Sequence, residues 1–372
     1  MKILQTVKYY EPSKGGMESV VKNIVDGIRF MSADHAFVVY ANNHLPSYKK
    51  TIEHLDRLVS IKELTPLVLK SQPLSFRYTS LRKLIVDTDI VHHHYPFPNM
   101  ELALLRNLDV LKHKKLVITW HANIKNSRWS WIGKYYDPII KKMMDMAEVV
   151  VVTSPQLFEA SQLLQNYERK IRVIPLSFDP SIGGFSSTKR QFPENRKFNL
   201  LFVGKLRSYK GLPYLIDAVK NLDVVLTIVG DGEQELQLKQ QVSDLGMKEK
   251  VFFLKDISNE ELSSHYKDSD LFILPSINEA EAFGVVQLEA MSNGIPVINT
   301  RLESGVPYVS LDGVSGFTVK PQDSQALCEA IKAIMSNKSL YEHFSENSIV
   351  RSKLFTRDVM ASSYLDLYKS LL

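Results

Sequence analysis

Short apolar runs recur along the chain, separated by longer stretches whose hydrophobic positions repeat every three to four residues. The runs fall at residues 2–7, 36–40, 90–93, 116–120, 149–152 and 172–174, and again at 199–206, 224–229, 251–253, 271–274, 297–299 and 318–320. They are too short to cross a membrane and nearly continuous in apolar character, so they predict strands covered on both faces. Stretches of helical period lie between them at 16–31, 102–111, 132–147 and 156–165, then at 212–221, 234–245, 260–266 and 285–293. Such alternation of strand and helix predicts parallel sheets wound with helices, an α/β architecture. The last stretch, 355–372, reads as an amphipathic helix.

At 372 residues the chain is too long for one ordinary core and suits two domains. Residues 178–198 are rich in Gly, Ser, Pro and charge and mark the boundary. This predicts a first domain over 1–178, a linker over 179–198, a second domain over 199–353 and a terminal helix over 354–372. The net charge of +5 is uneven: residues 1–180 carry 25 Lys and Arg against 17 Asp and Glu, and the rest carry 21 against 24. A basic first half suits a polyanionic partner such as anionic lipid headgroups or a lipid diphosphate. No nucleic-acid-binding motif accompanies the charge, so nucleic acid is not expected as a partner.

The one cysteine, Cys328, excludes an internal disulfide framework and a cysteine-based zinc site, and fits a reducing cytoplasm. The opening residues read as a strand and not as a secretory leader. Residues 125–142 interleave Trp129, Trp131, Tyr135 and Tyr136 with Lys125, Arg128, Lys134, Lys141 and Lys142. That mixture suits peripheral docking on an anionic membrane. It equally suits a helix that packs its aromatics on a sheet. The expectation is a cytoplasmic protein at the inner face of the cell membrane.

The densest chemistry lies in residues 270–300. A buried strand is followed by a loop, then Gly284 where the backbone turns, then a helix stopped by Gly294 and Pro296. A helix opening after Phe283 and Gly284 offers unpaired amides and a positive dipole end to an anion. Yet Glu281 and Glu289 bracket that end. Carboxylates beside an anion site need a second task, and accepting hydrogen bonds from paired ribose or sugar hydroxyls supplies one. Earlier, Lys205 and Lys210 follow a strand's carboxyl end, as a diphosphate leaving group would require. Gly15 and Gly16 open the first helix without forming a dinucleotide fingerprint. His92, His93 and His94 are adjacent, but only His92 and His94 share a strand face. They read as a cleft-lining strand end and not as a metal site. Asp87-Thr88-Asp89 and Asp268-Ser269-Asp270 have the spacing of an Asp-x-Asp metal motif, but both precede strands.

Glu281 and Glu289 with seven residues between them, Phe283-Gly284 after the first and Ala290-Met291 after the second resemble the signature of family-four retaining glycosyltransferases. The resemblance covers nearly the whole chain. It implies the GT-B fold, in which two Rossmann-like domains face across a cleft and a terminal helix crosses back to the first. It implies transfer from a nucleotide sugar, with no cofactor and no required metal. Glu281 then meets hydroxyls of the sugar ring and Glu289 those of the ribose. The backbone at Ala282, Phe283, Gly284 and Val285, with Lys205 and Lys210, holds the diphosphate.

In the same resemblance Gly15 and Gly16 reach toward the diphosphate and the acceptor, and His121 faces the transferred sugar. Gly204 and Gly230 line the nucleotide, Gly230 within a Gly-Asp-Gly turn. Lys205 departs from the family, which usually has Arg there; it keeps the charge but loses the two-pronged donor. The segments around Gly16-Met17-Glu18, His94-Tyr95-Pro96 and Trp120-His121-Ala122 resemble bacterial mannosyltransferases of surface-polysaccharide assembly. They imply GDP-mannose as donor and a polyprenyl-diphosphate-linked or oligosaccharide acceptor. A UDP-sugar transferase, a sugar-nucleotide epimerase of the same fold and a silent binding subunit are the alternatives.

Overall fold

In the computed structural model, which describes residues 1–13, 15–47, 49–69, 72–75, 78–123, 133–182, 184 and 189–372, the chain forms two units. One comprises Met1–Leu176 with Arg357–Leu372, the other Ser177–Thr356.

The first unit carries strands β1 (Lys2–Thr6), β2 (Ala36–Asn42), β3 (Thr51–Leu55), β4 (Leu58–Glu63), β5 (Leu67–Leu69), β6 (Gln72–Leu74), β7 (Ile90–Tyr95), β8 (Lys115–Trp120), β9 (Val149–Val152) and β10 (Ile171–Val173). Eight form one sheet in the order β10-β9-β8-β7-β1-β2-β4-β3, and β5 pairs with β6 alone. Within the eight-stranded sheet only the β3–β4 pairing is antiparallel. Strands β7 and β9 are buried along their whole length, as strands covered by helices on both faces must be. The strand order reverses between β1 and β7, so loops leaving the carboxyl ends of these two strands flank a crevice.

Helix Gly16–Met31 buries Val20, Val21, Ile24, Val25 and Ile28 along one stripe. Gly27 lies on it, and a Cβ there would come within 2.5 Å of the Ala361 Cβ. The missing side chain lets the terminal helix Arg357–Ser370 pack directly against this one. That helix buries Met360, Ala361, Tyr364, Leu365 and Tyr368, so the end of the chain belongs to the first unit.

The second unit has β11 (Phe198–Val203), β12 (Val224–Val229), β13 (Val251–Leu254), β14 (Leu271–Leu274), β15 (Val297–Thr300) and β16 (Gly316–Val319). Their order is β13-β12-β11-β14-β15-β16, all parallel. The reversal falls between β11 and β14, which puts the loops after these strands side by side. Both units are thus Rossmann-like.

Several elements depart from the pattern reading. Strand β3 is exposed at every position; an edge strand held by backbone pairing leaves no apolar run to see. Helices Ser324–Met335 and Lys338–Ser352 extend the second unit. The described residues of 178–198, a stretch whose composition suggests a linker, lie within that unit. There Arg190 donates to the carbonyls of Tyr266 at 2.7 Å and Asn293 at 3.0 Å, and its amide donates to Ser345 Oγ at 2.7 Å. The two Asp-x-Asp segments are structural. Asp89 accepts the Lys2 amide at 2.8 Å, and Asp270 takes a two-pronged bond from Arg196 at 2.6 and 2.7 Å.

Of the stretch 125–142, residues 125–132, with Lys125, Arg128, Trp129 and Trp131, lie outside the described residues. Tyr136 is buried, with its ring stacked 6.2 Å from that of Tyr95, and so belongs to the core. No helix among the described residues is long and apolar enough to cross a membrane.

Candidate functional site

In the second unit the loop after β11 folds into a single helical turn, Ser208–Lys210, ended by Gly211 in the left-handed region at φ 69°. A side chain on Gly211 would collide with the Pro275 carbonyl of the β14 loop. Glycine therefore lets the two loops touch, and the Ile277 amide donates to the Tyr209 carbonyl at 2.8 Å. This close approach buries Lys210. Its Nζ lies 2.5 Å from Glu281 Oε2, and both side chains are at most 10% exposed. Ser276 Oγ donates to the same oxygen at 3.0 Å. Burial pushes the Lys210 ammonium down, but Glu281 and the Tyr209 hydroxyl beside it outweigh this and raise it above the ordinary lysine value. Lys210 thus stays charged, with donors remaining for another anion.

Glu281 Oε1 has no hydrogen-bond partner among the described residues and is not one of the enclosed unpaired atoms. The Glu281 carboxylate is fixed on one side and open on the other. Glu289, on helix Val286–Ser292, is arranged in the same way. Tyr266 donates to its Oε2 at 2.7 Å, while Oε1 is unpaired and not enclosed. Burial pushes the Glu289 carboxyl up to about 7; the Tyr266 bond opposes the shift and the nearby Asp179 charge adds to it.

Between the two carboxylates the chain turns at Gly284, at φ 74°, where a side chain would meet Leu274 and Gln287. The amides of Ala282, Phe283, Gly284 and Val285 donate to no carbonyl among the described residues. Gln287 and Asn299 brace the turn from beneath: Asn299 Nδ2 donates to Gln287 Oε1 at 2.8 Å and to the Val306 carbonyl at 3.1 Å.

Gly204 and Gly230 follow β11 and β12. A Cβ on Gly230, at φ 141°, would collide with the Gly204 carbonyl, and one on Gly204 would sit 3.3 Å from Lys210 Nζ. The structure thus gathers Gly204, Lys210, Glu281, Gly284 and Glu289 around the switch point of the second unit. Lys205 differs from Lys210. It is exposed and pairs with Asp231 at 2.5 Å across the β12 turn. An exposed pair of this kind is weak, so Lys205 is available to a ligand at little cost.

In the first unit Gly15 and Gly16 lie in the connection after β1, and His121 follows β8, the strand beside β7. Gly15 caps the first helix in extended conformation, and a side chain there would collide with the Glu18 carboxylate. At Gly16 a Cβ would meet nothing within 4 Å. His121 follows β8, and its Nε2 lies 2.9 Å from His94 Nδ1. Burial, then the neighbouring His93, pushes the His121 imidazole down to about 3. His92 and His94 face the terminal helix, and His93 faces the other way, with its Nε2 3.1 Å from Glu101 Oε1. Among the described residues no group of three or more acidic, His or Cys side chains is placed to hold a metal ion.

Ser276, Tyr266, Tyr209 and Gln5 belong to these sites and are not distinguished by the sequence pattern. Ser276 stands two residues past the end of β14, a strand that ends at the switch point, which is the one signal that marks it.

Comparison with known proteins agrees with the fold. Residues 185–351 match the family model described as glycosyl transferases group 1, and residues 14–182 match glycosyltransferase family 4. The O-antigen chain mannosyltransferase C of Escherichia coli is 30% identical over 380 residues, covering 100% of this chain and 99% of that protein. The D-rhamnosyltransferase WbpZ of Pseudomonas aeruginosa is 29% identical, covering 96% and 92%. Among solved structures, sucrose-phosphate synthase from Thermosynechococcus elongatus superposes with a TM-score of 0.75 at 21% identity, covering 100% and 98%. Anabaena HepE in complex with UDP gives 0.74 at 20%, covering 100% of both chains.

Proposed function

Because this chain belongs to the group 1 and family-four glycosyltransferases of GT-B fold, we propose that it moves a hexose from a nucleotide sugar onto a hydroxyl of a lipid-linked or growing surface glycan. The preferred donor is GDP-mannose, and the anomeric configuration is retained. The relative named for O-antigen mannosyl transfer, similar along its whole length, supports the choice of sugar and of glycan.

The observation that carries the reading is the pair of half-open carboxylates at the switch point. Glu289 Oε1 accepts hydrogen bonds from the ribose hydroxyls. Glu281 Oε1 accepts from hydroxyls of the sugar ring. The amides of residues 282–285, Lys210 and Lys205 hold the diphosphate. As the sugar–phosphate bond breaks, charge grows on the leaving oxygen, and Lys210 is already charged and oriented toward it, so its contribution is larger in the transition state than before. These cations do the work that a metal does elsewhere, and the reaction requires no metal or cofactor. The leaving phosphate takes the acceptor's proton on the same face, so no enzyme base is assigned. His121, carried by the first unit, is assigned to a hydroxyl of the transferred sugar, and Gly15 and Gly16 to the acceptor side. The basic first half keeps the protein at the cytoplasmic face of an anionic membrane, where a polyprenyl-diphosphate acceptor resides.

A thermal-shift panel of GDP, UDP and dTDP tests the donor, since a bound nucleotide raises the melting temperature by mass action. Stabilisation by GDP alone is expected. Stabilisation by UDP in its place would make the chain a UDP-sugar transferase, and none by any of the three would remove the nucleotide reading.

A further inference from the structure

His121 sits at one end of a buried, directional chain of hydrogen bonds. Gln5, His92, His94 and Thr119 lie on neighbouring strands β1, β7 and β8 and point toward the helix Arg357–Ser370. Gln5 Nε2 donates to the Tyr368 hydroxyl at 3.0 Å, and Gln5 Oε1 faces His94 Nε2 at 2.8 Å. His94 Nδ1 faces His121 Nε2 at 2.9 Å. The Tyr368 hydroxyl also lies 2.6 Å from His92 Nδ1, and His92 Nε2 lies 2.7 Å from Thr119 Oγ1.

The order of donors follows from the chemistry of each group. A carboxamide oxygen only accepts, so His94 carries its hydrogen on Nε2. Burial pushes His94 and His121 down, so both rings are neutral at ordinary pH. A neutral His94 with Nε2–H offers only a lone pair at Nδ1. His121 must therefore donate from Nε2, which leaves its own Nδ1 as a lone pair. The Gln5 amide keeps this orientation because Tyr368 accepts from it. Tyr368 in turn spends its own hydrogen on His92 Nδ1.

We infer that Gln5, oriented by Tyr368 and acting through His94, is a positioning residue that locks His121 in the Nε2–H tautomer, so that His121 presents Nδ1 as an acceptor to a substrate hydroxyl. The tautomer stands on the hydrogen bonds and on the neutrality of the two buried rings. The substrate hydroxyl rests on the assignment of His121 to the transferred sugar made above. A bare Nδ1 accepts from a hydroxyl and gains nothing from a fluorine or a methoxy oxygen, so it also selects for a free hydroxyl at the position it meets.

The test is 15N NMR of the full chain labelled at histidine, with the His121 signals assigned by comparison with His121→Gln. Nε2 is expected protonated and Nδ1 bare in the free protein; a protonated Nδ1 would overturn the inference. Tyr368→Phe removes the acceptor that orients Gln5, so the amide can turn its NH2 toward His94 and reverse the relay. A second set of His121 signals with Nδ1 protonated is expected, and an unchanged spectrum would refute the role of Tyr368. With GDP-mannose as the probe donor, the same variant is expected to lose about tenfold in kcat with donor KM within about twofold, the mark of an interaction made mainly in the transition state. A reversed tautomer with unchanged kcat would refute the contact between His121 and substrate while leaving the relay intact. Should Tyr368→Phe not fold, Gln5→Leu gives the same two readouts, because it removes the acceptor for His94 Nε2.

Discussion

Lys210 Nζ and Glu281 Oε2 stand 2.5 Å apart, and neither side chain is more than 10% exposed. They come from loops 71 residues apart in sequence, brought together because the strand order reverses between β11 and β14. A buried pair of this kind adds little net stability, but breaking it leaves an uncompensated charge worth about 3–5 kcal/mol. Lys210→Met is therefore expected to lower the melting temperature of the second unit by roughly 10 °C. Adding Glu281→Gln should recover much of that loss. A calorimetric double-mutant cycle reads the coupling; additive losses would show that the pair is not one unit.

On the proposed contact between Glu289 and the ribose, nucleotide binding should be proton-linked. Its carboxyl is raised from the ordinary 4.5 to about 7, so the folded protein holds this proton more tightly than the unfolded chain. The stability owed to that proton is fully present below the ordinary value and is lost as pH rises through about 7. Ribose hydroxyls that donate to the carboxylate favour the deprotonated form. GDP binding at pH 6.5 should thus release part of a proton, read by calorimetry in two buffers of different ionisation enthalpy. Glu289→Gln should abolish the release and weaken GDP by about tenfold or more. Tyr266→Phe removes the bond that holds this pKa down, so the pH midpoint of GDP binding should move up.

Gly230 tests the close approach of the β11 and β12 loops. At φ 141° with a Cβ colliding with the Gly204 carbonyl, Gly230→Ala must shift both loops. Nucleotide affinity should fall by roughly tenfold through a residue that offers no side chain to bond. Titration of GDP by intrinsic fluorescence checks this.

Gly27 tests the seat of the terminal helix. A Cβ there lies 2.5 Å from Ala361 Cβ, so Gly27→Val overpacks that contact at about 1–3 kcal/mol. Calorimetry should show an earlier transition for the first unit and an unchanged one for the second.

The apolar runs of β9 and β14 were legible in the sequence because four buried positions in succession carry a strong local signal. Strand β3 was not, because Thr51–Leu55 is exposed throughout and its pairing is a backbone property. Residues 178–198 read as a linker because their composition is polar, whereas Arg190 reaches carbonyls more than 70 residues away. In the site, the carboxylates and lysines were visible as motif residues. What separates buried Lys210 from exposed Lys205 was not, since the two have the same local chemistry and differ only in which loop folds over them. Tyr266 and Gln5 were invisible for the same reason: each acts through a side chain distant in sequence.

The central claim is that Glu281 serves the sugar while Glu289 and the neighbouring backbone hold the nucleotide. The single-turnover rate of transfer from GDP-mannose and the GDP dissociation constant, measured on one preparation of Glu281→Gln whose folding is checked by circular dichroism, test it most directly. A rate lower by about 100-fold with GDP affinity within about threefold of the unmodified protein is the predicted result. An unchanged rate, or a loss of rate matched by an equal loss of GDP affinity, would contradict it.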